Sequence, residues 1–283
     1  MKYNYLASLL LAVLFAFSSA VHADEPFRNH RYSSFQALPA CNEGDVVFIG
    51  NSITNMMNWY EAFGSRQDIR GRGNSGGLTQ EILNNLESMI AGNPSKVFLM
   101  IGTNDLGGSD TPAAVAGRIE QILARIRKEA PGATVYYQSI LPSLNGSRTK
   151  ARIEGTNDSV KVWIERQKDE KLVYVDLYSK LAAEDGSMMH TGTNTNAYSF
   201  DGLHLTQKGY RIWMETIKDY VGSECVFPAD KPNVWGGLSG SNGMRVTYFA
   251  ASPVKSSDIL LIGDEMIHTR VRDKLCSKER ELV

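Results

Sequence analysis

Short apolar runs alternate with longer segments of helical periodicity between residues 45 and 221. Four runs predict core strands, and they are DVVFIG, KVFLMIG, TVYYQSIL and LVYVDLY. The stretch DIRGRG predicts a further short strand that leads into a glycine-rich turn. The segments between them, such as TPAAVAGRIEQILARIRKEA, place apolar residues three or four positions apart, which is typical of amphipathic helices. This alternation predicts a parallel sheet with helices on both faces. We expect the flavodoxin-like strand order 2-1-3-4-5 in an α/β fold.

Composition narrows the class of protein without identifying a function. The 283 residues suffice for one large domain, or for one domain and a fragment. The hydrophobic content of 42% and the charged content of 22% are ordinary for a globular protein. The formal net charge of −1 provides no field that would attract nucleic acid or anionic lipid, so neither is expected as a main partner.

The first 23 residues have the character of a secretory signal peptide. Lys2 gives a positive start, and the apolar run from Leu6 to Phe17 is too short for a comfortable membrane span. Small residues follow, and cleavage is expected near Ala23. A membrane anchor is the alternative. We therefore expect export to the periplasm or the extracellular space, a lead-in over residues 24–42, and no later membrane-spanning segment.

Three of the predicted strands end in unusual polar sequences. The first ends in Gly50-Asn51-Ser52, the second in the stretch GNSGG at 73–77, and the third in GTND at 102–105. Each stretch alone can be a tight turn followed by a helix cap. However, the carboxyl ends of parallel strands meet at one edge of the sheet, where open α/β folds bind their ligands. This coincidence favours a functional site.

The stretch FDGLHLT at residues 200–206 supplies a base for Ser52. Asp201 can orient the ring of His204 through one nitrogen, and Gly202 allows the local turn that this requires. The other ring nitrogen can then take the proton of the Ser52 hydroxyl, which is a poor nucleophile without a positioned base. A lone histidine is more often structural, and it is the combination that favours catalysis.

The same strand ends offer donors for an oxyanion hole. We expect the main-chain N–H of Ser52, the main-chain N–H of Gly76 and the side-chain amide of Asn104 to face the developing negative charge. One such donor contributes roughly 3–4 kcal/mol to the lowering of a reaction barrier.

Four sequence blocks in this order resemble those of the SGNH hydrolases, the GDSL-type esterase superfamily. The blocks are GNSIT, GRGNSGG, IGTNDLG and DGLHLT, and the resemblance covers about residues 43–222. It implies an SGNH hydrolase domain over 43–225 with a three-layer α/β/α sandwich, and a serine esterase that needs no metal or organic cofactor. Asn51 departs from the family pattern, which usually has Asp at this position.

The resemblance is strongest to secreted carbohydrate esterases of Bacteroidetes, including sialate O-acetylesterases. It implies an acetylated glycan as substrate, and the polar stretches SLNGSRTKARIEGTNDS and HTGTNTNAYS could bind sugar hydroxyls or be solvated loops. One alternative is a lysophospholipase or platelet-activating-factor-acetylhydrolase-like lipase, because these relatives share the blocks. Another is a glycan-binding protein without catalysis, which the intact triad disfavours.

Two further predictions concern the cysteines. In the predicted topology the last helix runs back to the edge of the sheet where the first strand begins, so Cys41 and Cys225 are expected to be neighbours. In an oxidising compartment they would form a disulfide, and the alternative is that Cys41, Cys225 and Cys276 are three unrelated thiols.

Residues 226–283 lie beyond the esterase domain. The stretch SSDILLIGDEMIHT matches the pattern of EGDVVFIGNSITN, so the segment resembles a linker and a truncated second esterase-like unit, although chance is the alternative. Glu265 stands where the first copy has Ser52, so we expect no contribution of this segment to catalysis.

Overall fold

The computed structural model of the protein describes residues 26, 28–188 and 197–226. The predicted signal peptide and nearly all of the predicted C-terminal unit lie outside these residues. Within them, no helix is both long enough and apolar enough to cross a membrane.

The core is a five-stranded sheet in which every pair of neighbouring strands is parallel. Its order is β2-β1-β3-β4-β5, which confirms the predicted order. The strands are β1 (Val46–Gly50), β2 (Ile69–Gly73), β3 (Lys96–Met100), β4 (Thr134–Gln138) and β5 (Leu172–Val175). In the register, Gly50 is paired with both Gly73 and Met100, so three polar strand ends emerge side by side.

Helices cover both faces of the sheet, as the alternating pattern predicts. They are α1 (28–37), α2 (Ser52–Asn55), α3 (Trp59–Ala62), α4 (Thr79–Ile90), α5 (Thr103–Gly107), α6 (Pro112–Glu129), α7 (Lys150–Gln167), α8 (Tyr178–Leu181) and α9 (Gln207–Val221). One face packs against α1, α4, α6 and α7, and the other against α2, α3, α8 and α9. Two short helices, α2 and α3, lie between β1 and β2 in the sequence.

Both faces of the central strands are buried, which explains their nearly continuous apolar sequence. On the α9 face, the Phe48 ring lies between Trp59, at 4.2 Å between ring centroids, and Phe98, at 4.8 Å. Trp213 of α9 meets Trp59 edge-on at 4.9 Å. On the other face the strands present aliphatic side chains to α4 and α6. The sheet is consequently a rigid support for its polar edge.

The first strand ends in a glycine because there is no room for a side chain. A Cβ at Gly50 would lie 2.2 Å from the Thr54 hydroxyl oxygen and 2.5 Å from the Met100 carbonyl oxygen. Helix α2 thus packs directly on the ends of β1 and β3, and Ser52 is placed at the sheet edge by core packing.

The predicted disulfide between Cys41 and Cys225 is wrong, because the structure does not link the two residues. Cys41 packs on the α4 face, with its Sγ 3.7 Å from the Met89 carbonyl oxygen, whereas Cys225 contacts Met214 on the α9 face. The order of strands and helices predicts at which edge of the sheet each cysteine lies, but not on which face. The sheet itself separates the two cysteines.

Candidate active site

In the turn after β1, the Ser52 hydroxyl does not cap a helix and is available to react. Asn51 is the N-cap of α2, since its side-chain oxygen accepts the main-chain N–H of Ile53 at 3.0 Å. Ser52 is therefore the first helical residue, and its hydroxyl is not used in capping. Ser52 is largely buried, with 7% of its surface exposed.

The predicted base and its orienting acid lie beside this serine. The Ser52 Oγ is 2.8 Å from His204 Nε2, and His204 Nδ1 is 2.6 Å from Asp201 Oδ2. Asp201 Oδ1 also accepts the main-chain N–H groups of Leu203, at 3.0 Å, and of His204, at 2.7 Å. The structure therefore brings Ser52, His204 and Asp201 into one hydrogen-bonded chain.

The electrostatics of Asp201 suit an orienting carboxylate. Partial burial acts to raise the pKa of Asp201, but the hydrogen bonds and the charge of His204 outweigh it, so the pKa lies below its ordinary value. An ionised carboxylate at Nδ1 favours the tautomer that carries its proton there. The His204 Nε2 then remains an acceptor for the Ser52 proton.

The turn that carries His204 is stabilised by the loop between β4 and α7. The Gly202 carbonyl accepts the Leu144 N–H at 2.8 Å and the Ser143 hydroxyl at 3.1 Å. Gly202 has φ +82°, a region that favours glycine, and a Cβ there would lie 2.7 Å from the Leu144 Cβ. The Phe200 ring stacks on the imidazole of His204, with 5.6 Å between centroids. These contacts fix the orientation of the base.

The three predicted oxyanion donors lie on neighbouring strand ends. Within the described part of the chain, the N–H groups of Ser52 and Gly76 donate to no acceptor. Gly76 has φ +76° and lies in a turn. A hydrogen bond of 2.9 Å from the Gly77 N–H to the Asn74 carbonyl closes this turn. The Asn104 amide donates to the Gly77 carbonyl at 3.1 Å, which leaves one of its two amide hydrogens available.

Helix α1 supports the Gly76 turn, and no sequence motif predicts this contact. The Asn74 amide donates to the Arg28 carbonyl at 3.0 Å, and the Arg28 guanidinium pairs with Glu81 at 2.8 Å. The Arg28 side chain lies over the turn, because a Cβ at Gly76 would be 3.2 Å from its Cδ. The residues just after the predicted cleavage point therefore help to build the site.

The acid of the third block, Asp105, has a structural role. It is buried and accepts the Thr79 hydroxyl at 2.6 Å, the Thr79 N–H at 3.1 Å and the Arg118 guanidinium at 3.3 Å. Burial raises the pKa of Asp105 despite these donors. Leu78 is the N-cap of α4, and Thr79 is the first residue of the helix. The network joins α4, α5 and α6 behind Asn104.

Together these groups can perform acyl transfer. A hydroxyl with an adjacent base can attack an ester carbonyl, and donors at a neighbouring turn can stabilise the resulting oxyanion. A comparison with protein families agrees with this arrangement, because the model of the GDSL-like lipase/acylhydrolase family matches residues 48–212. The chain belongs to this family. It is a carboxylic ester hydrolase of the SGNH superfamily.

Individual relatives of this acylhydrolase include mammalian enzymes. The platelet-activating factor acetylhydrolase IB subunit alpha2 of Homo sapiens is 29% identical over 175 residues, which are 59% of this chain and 72% of the relative. The same subunit of Rattus norvegicus is 27% identical over the same shares.

Solved structures share the fold. A protein from Streptococcus pneumoniae is 24% identical with a TM-score of 0.66, and the match covers 74% of this chain and 99% of the other. A GDSL-like lipase from Bacteroides thetaiotaomicron is 23% identical with a TM-score of 0.57, covering 68% and 96%. The predicted α/β/α fold of the SGNH hydrolases is thereby confirmed.

Several residues at the acylhydrolase site lie outside the four blocks. Ser143 and Leu144 contact the base turn, and Arg148 donates to the Thr103 carbonyl at 2.8 Å. All three belong to the stretch SLNGSR, which the sequence marks only as a polar loop. No local pattern links such a loop to a turn about 60 residues away, because the contacts are main-chain and side-chain hydrogen bonds between distant segments.

Proposed function

We propose that the protein is an exported carbohydrate O-acetylesterase that acts through a Ser52–His204–Asp201 triad and an acyl-enzyme. The chain of hydrogen bonds from Ser52 Oγ to Asp201, beside two free main-chain donors, is the observation that carries the proposal. O-acetylated sialic acid is one candidate substrate.

In the proposed mechanism, Ser52 Oγ attacks the acetyl carbonyl carbon while His204 Nε2 takes the hydroxyl proton. The N–H groups of Ser52 and Gly76 and the Asn104 amide stabilise the oxyanion. His204 then gives its proton to the departing alcohol oxygen, which leaves acetyl-Ser52. In the second half, His204 removes a proton from water, the water oxygen attacks the acyl carbon, and collapse returns the proton to Ser52 Oγ and releases acetate.

The acetyl group and the sugar have separate support. The relatives at 27–29% identity are named as acetylhydrolases, which favours a small acyl group. Within the described residues, four large apolar side chains are exposed on separate elements, which are Leu144, Val162, Tyr220 and Val226. A bound lipid tail would need a larger continuous apolar surface. The exposed loop around Asn145 and Ser147, by contrast, offers polar groups to sugar hydroxyls.

Export is supported by the signal-like composition of residues 1–23 alone. A lipid acetylhydrolase is the second candidate, and the names of the curated relatives favour it. A glycan-binding protein without catalysis is disfavoured, because such a protein needs no contact between Ser52 and His204.

One set of assays tests the proposal. Purified protein is expected to hydrolyse p-nitrophenyl acetate much faster than p-nitrophenyl esters with long acyl chains, and to release acetate from O-acetylated glycans. Preference for long chains would favour a lipase. Absence of turnover on every ester, in a folded protein, would favour the binding protein.

A further inference from the structure

Arg148 is a cation at the rim of the site with most of its donors unused. It is the last residue of the turn Asn145–Arg148, in which its main-chain N–H donates to the Asn145 carbonyl at 2.9 Å. Its Nε donates to the Thr103 carbonyl, next to the oxyanion donor Asn104. Its guanidinium lies over Gly107, where a Cβ would be 2.3 Å from Nη2. Glycine at that position therefore leaves space for the planar group.

No carboxylate neutralises this guanidinium within the described part of the chain. Its terminal nitrogens form no hydrogen bond or ion pair there, and they are not sealed from solvent. The acid that acts on Arg148 is Asp201, but the Asp201 oxygens are already bonded to His204 and to two main-chain N–H groups. Half-burial lowers the pKa of Arg148 while Asp201 raises it. A half-buried cation with free donors is suited to an external anion.

We propose that Arg148 binds an anionic group on the alcohol portion of the substrate and so selects acidic acetyl esters. The inference rests on the proposed function, and it adds a substrate class. An acetyl group has no charge, so the anion must belong to the alcohol portion. The two terminal amino groups of a guanidinium match the paired oxygens of a carboxylate or a phosphodiester. A carboxylate of an acidic sugar is the source that fits the polar rim.

Matched substrate pairs test this selection. One pair is O-acetylated glucuronic acid and O-acetylated glucose, which differ by the carboxylate. The other is an acetylated glycerophosphodiester and glycerol monoacetate. The ratio of kcat/KM between the charged and the neutral member is measured for the wild type, for Arg148→Ala, for Arg148→Lys and for Arg166→Ala. Arg166 is an exposed arginine at the end of α7, and its variant controls for loss of net charge.

The wild type and Arg166→Ala are expected to prefer the carboxylate member. Arg148→Ala should lower that ratio about tenfold to a hundredfold, as expected when one charge-assisted contact is lost. Arg148→Lys should retain part of it, and added salt should weaken the preference in the wild type but not in Arg148→Ala. Preference for the phosphodiester member alone would support the anion site and assign it to a lipid headgroup.

Three results would overturn the inference. They are equal kcat/KM within both pairs, a preference that survives in Arg148→Ala, and an equal loss on charged and neutral esters in a folded Arg148→Ala. The last would make Arg148 a positioning residue for the Thr103 segment. Turnover of p-nitrophenyl acetate by the wild type, measured in parallel, separates failure of this inference from failure of the proposed esterase activity.

Discussion

The turn that carries Ser52 and the turn that carries His204 are built in different ways. Ser52 follows a central strand, and its surroundings, such as Gly50 and Thr54, are packed in the core. His204 lies in a turn without a flanking sheet strand, and the Asp201 side chain is 41% exposed. This base turn depends on the bridge between Ser199 and Leu205 and on hydrogen bonds to the loop after β4.

The difference indicates how the site can fail. Because the nucleophile turn is part of the core, substitutions that disturb its packing should lower the free energy of unfolding. Because the base turn is fixed by a few hydrogen bonds between loops, substitutions that disturb it should lower the turnover rate while the protein remains folded. The two glycine variants and Ser143→Ala test this contrast, and the triad variants show what the loss of a reacting group costs when the turns themselves are unchanged.

The largest expected effect is the loss of the nucleophile itself. Ser52→Ala removes the attacking oxygen and should lower kcat on acetyl esters by about 10⁴-fold to 10⁶-fold. The melting temperature should change little, because one buried hydroxyl is lost at an otherwise unchanged turn. Ser159→Ala, at an exposed serine of α7, is the control. Near-normal turnover by Ser52→Ala would show that another group attacks the ester.

Asp201→Asn should be nearly as severe. The amide favours the wrong tautomer of His204, and kcat is expected to fall by about 10⁴-fold, while Asp158→Asn on α7 is the control.

The same variant also tests the lowered pKa of Asp201. Because the pKa of Asp201 is lowered in the folded protein, its contribution to stability is present above the unfolded value of about 3.9 and is lost as the pH falls through the folded value.

Wild-type stability should therefore fall more steeply than that of Asp201→Asn as the pH is lowered from about 4. Unfolding in urea at several pH values measures this. Parallel curves for the two proteins would contradict a low pKa at Asp201.

Two glycine variants compare the turns directly. Gly50→Ala places a Cβ against Thr54 and the Met100 carbonyl and should cost roughly 3 kcal/mol of unfolding free energy. In Gly202→Ala the new Cβ contacts the Leu144 side chain, which is 40% exposed and can move away, and the alanine must adopt a positive φ. The free energy of unfolding is therefore expected to fall by about 1–2 kcal/mol. Turnover per folded molecule should fall more for Gly202→Ala. The reverse order in either measurement would refute the contrast.

Ser143→Ala should have a smaller effect. The Gly202 carbonyl keeps its hydrogen bond from the Leu144 N–H, so stability should fall by about 1 kcal/mol. We expect kcat to fall a few-fold with KM nearly unchanged, because the variant loosens the base and not a binding group. The control is Ser147→Ala, at an exposed serine of the same loop. Unchanged kcat would mean that the Ser143 hydroxyl does not help to fix the base turn.

The smallest effect is expected from deletion of residues 229–283. The described structure completes the triad and its supports without them, so acetyl-ester turnover should stay within a few-fold of that of the full chain. A large loss of activity in a truncated protein that is still folded would show that this segment helps to build the site.

Much of this protein can be predicted from local sequence. The alternation of apolar runs and helical segments predicts the five strands and their order, because burial on both faces imposes a nearly continuous apolar strand. The polar strand ends and the stretch DGLHLT predict Ser52, Gly76, Asn104, Asp201 and His204 as one group, because parallel strands end at a common edge. The structure joins Ser52, His204 and Asp201 by hydrogen bonds, and it places Gly76 and Asn104 after the ends of the strands that flank β1.

Only the tertiary structure decided which distant segments meet and on which face. Cys41 and Cys225 have suitable positions along the sheet but lie on its opposite faces. Arg28 lies over the Gly76 turn, and the stretch SLNGSR joins the base turn to α5 through Gly202 and Thr103. Periodicity records whether a residue is buried, which is a local property. It does not record which partner a polar group finds, since that depends on how separate elements pack.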